Sequence, residues 1–243
     1  MKKIGFIGFG NMAEAIIKGL IRSGNFENSE IGAYDTDTVK LNSGASSLGI
    51  TAFESNETLV ENCECVILAV KPIALQKVIE PLRETFCKAN PLVVSIAAGQ
   101  SVEKLKALLD YDARIVRVMP NINAMAQKAV SGFCASENVT ENQKVFAKKV
   151  LDSFGKSIEV EENKFSAYSA VAGCSPAYVY LFADALARVG VKYGLTKKES
   201  LEIVTDSIVT TVKNNCVKSD VAVDRIVLNA LDAAYKKDKG MLK

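Results

Sequence analysis

Gly8, Gly10 and Ala13, near the start of the 243-residue chain, have the types and spacing to hold a phosphate. They read G-x-G-x-x-A, directly after the apolar residues Ile4, Phe6 and Ile7 and before a stretch of good helix formers that includes Glu14, Ala15 and Ile16. At such a strand-to-helix turn the first glycine permits the tight bend, the second lets a pyrophosphate approach the backbone, and the small third residue lets the helix pack close to the strand. Free N–H groups and the positive end of the helix dipole would hold the anion. The bland alternative is a strand–turn–helix that binds nothing. Asp35 closes the segment Ile31-Gly32-Ala33-Tyr34-Asp35, where an acid hydrogen-bonds an adenosine ribose; a solvated turn acid is its plain reading. Thr36, Asp37 and Thr38 follow, so a 2′-phosphate meets no adjacent Arg or Lys, which favours NAD over NADP. Lys71, after the apolar run Cys65-Val66-Ile67-Leu68-Ala69-Val70, is either a phosphate or ribose partner or a solvated lysine. Ala97, Ala98 and Gly99, after Leu92-Val93-Val94-Ser95-Ile96, are small enough to let a flat ring approach the backbone.

What is missing restricts the chemistry as much. The chain has no histidine, so a Ser-His-Asp triad and His-based metal sites are excluded, and the commonest general acid–base group is absent. The six cysteines (Cys63, Cys65, Cys87, Cys134, Cys174, Cys216) form no C-x-x-C pair and lack metal-ligand spacing. No metal is expected, and chemistry must come largely from a cofactor or from the substrate itself. With 30 basic and 28 acidic residues the net charge is +2, too balanced to argue for nucleic acid. A strand in place of a secretory signal, and no uninterrupted apolar run as long as a membrane span, lead to the expectation of a cytoplasmic chain with free thiols and no membrane partner.

These residues need a scaffold to bring them together. Apolar strand segments alternate with helical ones over residues 1–161, which predicts a Rossmann-like, doubly wound, mainly parallel sheet. The expected strands continue through Gly49–Phe53, Arg114–Asn121, Ala129–Cys134 and Ser157–Val160. Ser55 or Asn56, Ser101 and Thr140 are expected to open helices. From 162 to 243 everything reads helical. Ser175-Pro176 reads as an N-cap with proline at the first helical position. The helix that follows, to Tyr193, is apolar around most of its surface, with Asp184, Arg188 and Lys192 as its charged stripe, and is expected to be buried on most sides. Thr196-Lys197-Lys198-Glu199 is a capping box, and a last helix is expected from about Val221 to Lys237. So much apolar helix surface needs a partner, so a dimer is expected.

Five motifs in order, Phe6-Ile7-Gly8-Phe9-Gly10-Asn11-Met12, Leu68-Ala69-Val70-Lys71-Pro72, Ser95-Ile96-Ala97-Ala98-Gly99, Arg117-Val118-Met119-Pro120-Asn121 and Gly173-Cys174-Ser175-Pro176-Ala177-Tyr178, make the chain resemble the pyrroline-5-carboxylate reductases. The likeness extends from residue 1 to about 213. It implies reduction of the cyclic imine of 1-pyrroline-5-carboxylate to proline by NADPH or NADH, in a homodimer or higher oligomer joined through the C-terminal helices. It implies that Ile7 to Met12, Asp35, Asn56, Ala69 to Pro72 and Ala97 to Gly99 line the cofactor, and that Met119, Asn121, Ser175 and Pro176 lie toward the substrate. No catalytic side chain is carried over. The family's Ser-Pro-Gly-Gly-Thr-Thr-like segment, which holds the substrate, has no counterpart: Val212-Lys213-Asn214-Asn215-Cys216 leads almost directly to Asp224-Arg225-Ile226-Val227, about thirty residues shorter. That departure keeps open a cofactor-binding dimer without turnover. A β-hydroxyacid dehydrogenase shares the opening turn, but its lysine has no counterpart between Val171 and Tyr178.

Overall fold

The computed structural model describes residues 1–211, so the expected last helix and the Val212–Val227 stretch lie outside the described residues. The chain divides into two compact units, Met1–Pro176 and the residues from Ala177 onward.

The first unit is built on an eight-stranded sheet: β1 (Lys2–Ile7), β2 (Ile31–Tyr34), β3 (Thr51–Ala52), β4 (Cys63–Leu68), β5 (Leu92–Ser95), β6 (Ile115–Met119), β7 (Ala129–Ala135) and β8 (Gly155–Glu159). Their spatial order is β3-β2-β1-β4-β5-β6-β7-β8, parallel throughout except where β7 runs against β6. The order steps outward from β1 in both directions, as the alternating pattern predicts for a doubly wound sheet. Along β4 the side chains alternate between two cores. Cys65 and Ile67 join Ile4, Phe6 and Val94 under the helices α1 (Asn11–Arg22) and α7 (Glu141–Asp152). Val66 and Leu68 join Ile7 and Val93 under α3 (Asn56–Asn62), α4 (Pro72–Ile79), α5 (Arg83–Ala89) and α6 (Val102–Leu109), with α2 (Thr38–Leu48) flanking the first core through Leu41 and Ala45. A strand buried on both faces has no polar side, which is why its sequence reads as one apolar run.

The helix starts are fixed by side-chain oxygens. Ser101 accepts from Lys104 N at 3.1 Å, and Thr140 and Gln143 cap each other reciprocally. At α3 the cap is Ser55, whose Oγ accepts from Thr58 N at 3.2 Å. Asn56 is thereby released from capping.

A helix begins at Ser175 as expected, but Ser175 is its first residue and not a cap, because the backbone before it is already helical. The backbone is helical from Glu162 to Lys192 through α8 (Phe165–Tyr168), a π turn over Ser169–Gly173, and α9 (Ser175–Lys192). Just before Pro176, which has no N–H to give, the backbone widens to an i→i+5 pattern, with Cys174 N donating to Ser169 O at 3.0 Å. The run from Glu162 to Lys192 is long and apolar enough, by length and composition only, to cross a membrane, with an 18-residue window of mean hydropathy 1.3.

In the second unit α9 packs on α10 (Lys197–Thr211). Ser200 Oγ donates to Ala187 O at 2.7 Å and lies where a side chain at Gly190 would be. The Thr196–Glu199 capping box forms as expected. In the single chain Ala183 and Ala187 of α9 are buried, while Tyr178, Leu181, Phe182 and Val189 are exposed, the apolar surface for which a partner was expected.

Candidate functional site

A cleft of about 650 Å³ lies where the carboxyl ends of β1, β2 and β4 meet the starts of α3 and α4. Gly8 makes the turn above β1 with φ +101°. A side chain there would be strained, and its Cβ would lie 2.8 Å from the Ala69 carbonyl oxygen. Gly10 differs. Its backbone is extended (φ −79°, ψ 178°), and a Cβ built on it meets nothing within 4 Å. It precedes α1, whose start has no side-chain cap. The first N–H groups of that helix are therefore left for a ligand, with the dipole favouring an anion.

The turn is fastened to β2. Gly8 N donates to Tyr34 O at 2.8 Å, and Phe9 N donates to Asp35 Oδ2 at 2.6 Å. The other Asp35 oxygen accepts from Asp37 N at 2.9 Å. The carboxylate is thus held in place by two backbone amides at the edge of the cleft. Asn56, freed by Ser55, lines the same cleft, and its Oδ1 is buried with no partner among the described residues. A buried amide oxygen left unsatisfied is costly, and a ribose hydroxyl would satisfy it.

Of the residues expected to line a cofactor, the cleft gathers Ile7, Gly8, Gly10, Asp35, Asn56, Ala69, Val70 and Lys71. The others lie around it. Phe9 contributes its amide, while its ring is buried against Gly44. Asn11 is exposed and Met12 packs on the core beneath α1. Pro72 starts α4. Ala97, Ala98 and Gly99 follow β5, two strands from β1; Ala97 is buried, and Gly99 has φ +74° with open space beside it. Among the four expected to face substrate, Met119 closes β6, Ser175 is half-buried, Pro176 is buried, and Asn121 has its amide engaged within the protein. Sequence reasoning missed Ile73 and Lys77, which stand four apart on α4 and line the cleft. The signal was there: Leu75 and Ile79, at the same spacing, take the buried face of that helix.

Burial pushes the Cys63 thiol up to about 12 and the Cys65 thiol higher still, and Cys134 rises to about 11 for the same reason. Among the described residues no Cys, Asp and Glu cluster is placed to hold a metal ion. A larger hollow of about 860 Å³ beside β8 is lined by Glu103, Glu137, Glu159, Glu161 and Glu162 against Lys106 and Lys164, an excess of carboxylates that would repel a phosphate.

Comparison with known proteins gives the family. Residues 3–99 match the family model described as NADP oxidoreductase coenzyme F420-dependent, and residues 162–222 match pyrroline-5-carboxylate reductase dimerisation. A pyrroline-5-carboxylate reductase of Haemophilus influenzae is 36% identical over 213 residues, covering 87% of this chain and 78% of that protein. One from Aquifex aeolicus is 33% identical over 212 residues, covering 87% and 77%. The crystal structure of Plasmodium falciparum pyrroline carboxylate reductase with NADP bound superposes with a TM-score of 0.84 at 28% identity, covering 99% of this chain and 91% of that one.

Proposed function

The chain belongs to the pyrroline-5-carboxylate reductase family, and from that premise we propose how its own residues carry the reduction of 1-pyrroline-5-carboxylate to proline by NAD(P)H, the last step of proline biosynthesis. The observation that carries the proposal is the uncapped start of α1 with open space over Gly10. The Gly8–Gly10 turn and the first amides of α1 hold the pyrophosphate, Asn56 Oδ1 accepts a ribose hydroxyl, and Asp35 stands at the adenosine end. When bound, the reduced nicotinamide supplies the hydride. A protonated cyclic imine is already an electrophile, so its reduction neutralises charge and leaves no alkoxide to protonate. The chain's task is to hold the imine carbon in position and exclude water, which a site without histidine can do. The test is consumption of NADH and of NADPH by the purified chain on addition of pyrroline-5-carboxylate, with proline as product. Cofactor binding without turnover would favour the second reading, a non-catalytic dimer, which rests on the missing counterpart of the family's Gly-Gly-Thr segment.

The reading places the enzyme in the cytoplasm, where Cys63, Cys65, Cys87, Cys134 and Cys174, all free, stay reduced. It also assigns the exposed stripe on α9 to a homodimer or a larger assembly of dimers. Tyr178, Phe182 and Val189 recur on one face at helical spacing and are more than half exposed in the lone chain. Phe182→Glu would set two like charges near each other in a symmetric apolar contact. The expected result is a monomer by sedimentation; an unchanged oligomer would remove this stripe from the interface.

A further inference from the structure

Asn121 follows β6 and is 6% exposed. Its Oδ1 accepts from Val130 N at 3.2 Å, and its Nδ2 donates to Ala172 O at 3.1 Å. That second bond has a specific reason. Ala172 lies four residues before Pro176, and the bond its carbonyl would receive in an α-helix is the one proline cannot give. Asn121 supplies the missing donor from outside the helix. Around this point the backbone takes its π turn, Ser169–Gly173. A second tie holds the same segment to the sheet: Tyr168 OH donates to Val130 O at 2.9 Å, with its ring over Gly132.

The location is what gives the bond its consequence. A Cβ on Gly173 would sit 3.3 Å from Met119 Cε, so the π turn rests on the residue that closes β6. Strands β2, β1, β4, β5 and β6 are consecutive neighbours. A dinucleotide with its ribose at Asp35 and its pyrophosphate at Gly10 points its far end along that order, toward β5 and β6. The reacting carbon therefore lies on the side where the π turn stands.

We propose that Asn121 is a positioning residue for the reduction: by giving Ala172 the hydrogen bond that Pro176 withholds, it fixes the π turn as the wall against which the imine is held. The proposal rests on the imine-reductase reading above. Asn121→Asp keeps the acceptor for Val130 N and removes the donor to Ala172. It is expected to lower kcat about tenfold, the size of a small misplacement of a reacting group. The Kd for NADH, read by fluorescence, should stay within about twofold, and the Cys174 amide should exchange hydrogen faster. Pro176→Ala gives the helix back an N–H for Ala172. In that background, whatever Pro176→Ala does by itself, adding Asn121→Asp should cost less than about twofold in kcat.

The proposal is overturned if Asn121→Asp costs as much in the Pro176→Ala background as in the natural chain, or if it leaves either kcat or Cys174 exchange unchanged. Should Asn121→Asp alone fail to fold, recovery of a folded chain on adding Pro176→Ala supports the pairing, and failure to recover overturns it. Hydrogen exchange needs no substrate. A natural chain that never turns over pyrroline-5-carboxylate refutes the functional reading, whereas unchanged Cys174 protection in Asn121→Asp refutes this inference.

Discussion

Gly10→Val is expected to raise the Kd for NADH and NADPH about a hundredfold or more, while the protein still folds and melts within about 2 °C of the natural chain. The two halves of that result have separate causes. The backbone at Gly10 is extended and a Cβ there meets nothing within 4 Å among the described residues, so the fold loses little to the substitution. The same open space lies over the uncapped amides of α1, and a branched side chain would stand where the pyrophosphate must approach. Losing two charge-assisted hydrogen bonds, at about 1.5–3 kcal/mol each, is ample for a hundredfold change. Gly8→Val is the contrast: at φ +101°, with the Ala69 carbonyl 2.8 Å from the new Cβ, it should lower the melting temperature itself. Titration by nicotinamide fluorescence together with thermal melts checks both. Unchanged NADH affinity in Gly10→Val would remove the Gly8–Gly10 turn from the binding site.

Asp35→Asn is expected to move the cofactor preference about ten- to a hundredfold toward NADPH. In the natural chain two backbone amides hold the carboxylate in place, so it cannot swing away from a 2′-phosphate. Glu57 lines the same cleft, and Lys71 and Lys77 provide its cations. A second negative charge beside the phosphate costs about 1–3 kcal/mol after solvent screening, which is the expected range. Asparagine keeps an oxygen for Phe9 N and removes the charge, so the turn keeps that anchor and loses only the bond from Asp37 N. The ratio of the Kd values for the two cofactors reads the effect directly. A ratio that does not move would mean that Asp35 serves only the turn.

Much of this was legible in the residues. The uninterrupted apolar run of β4 announced a strand covered on both faces, and its strict alternation sorts Cys65 and Ile67 from Val66 and Leu68. Ser101, Thr140 and Thr196 announced their helices because a capping bond is local. α2 was silent: Asn42, Ser43, Gly44, Ser46 and Ser47 dilute its pattern, and only Leu41 and Ala45 are buried. Ser175 reads as a cap in the sequence and is instead the first residue of α9, with helical backbone already before it. A serine before a proline is a fair local sign of a helix start, but the donor that lets the helix run on is Asn121, 51 positions away from the carbonyl it serves. Asn56 could not be separated from Ser55 as the cap until the bonds were seen. The surface of α9 was read as buried because apolar side chains call for cover; sequence cannot say whether that cover belongs to the same chain.

The difference between the two glycines also bears on descent. A lineage that stopped using its nucleotide would still need glycine at position 8, because the folded backbone demands it. Position 10 would be held less tightly, since a Cβ there meets nothing within 4 Å among the described residues. Glycine at position 10 thus answers to the ligand more than to the fold, and in this chain it is glycine.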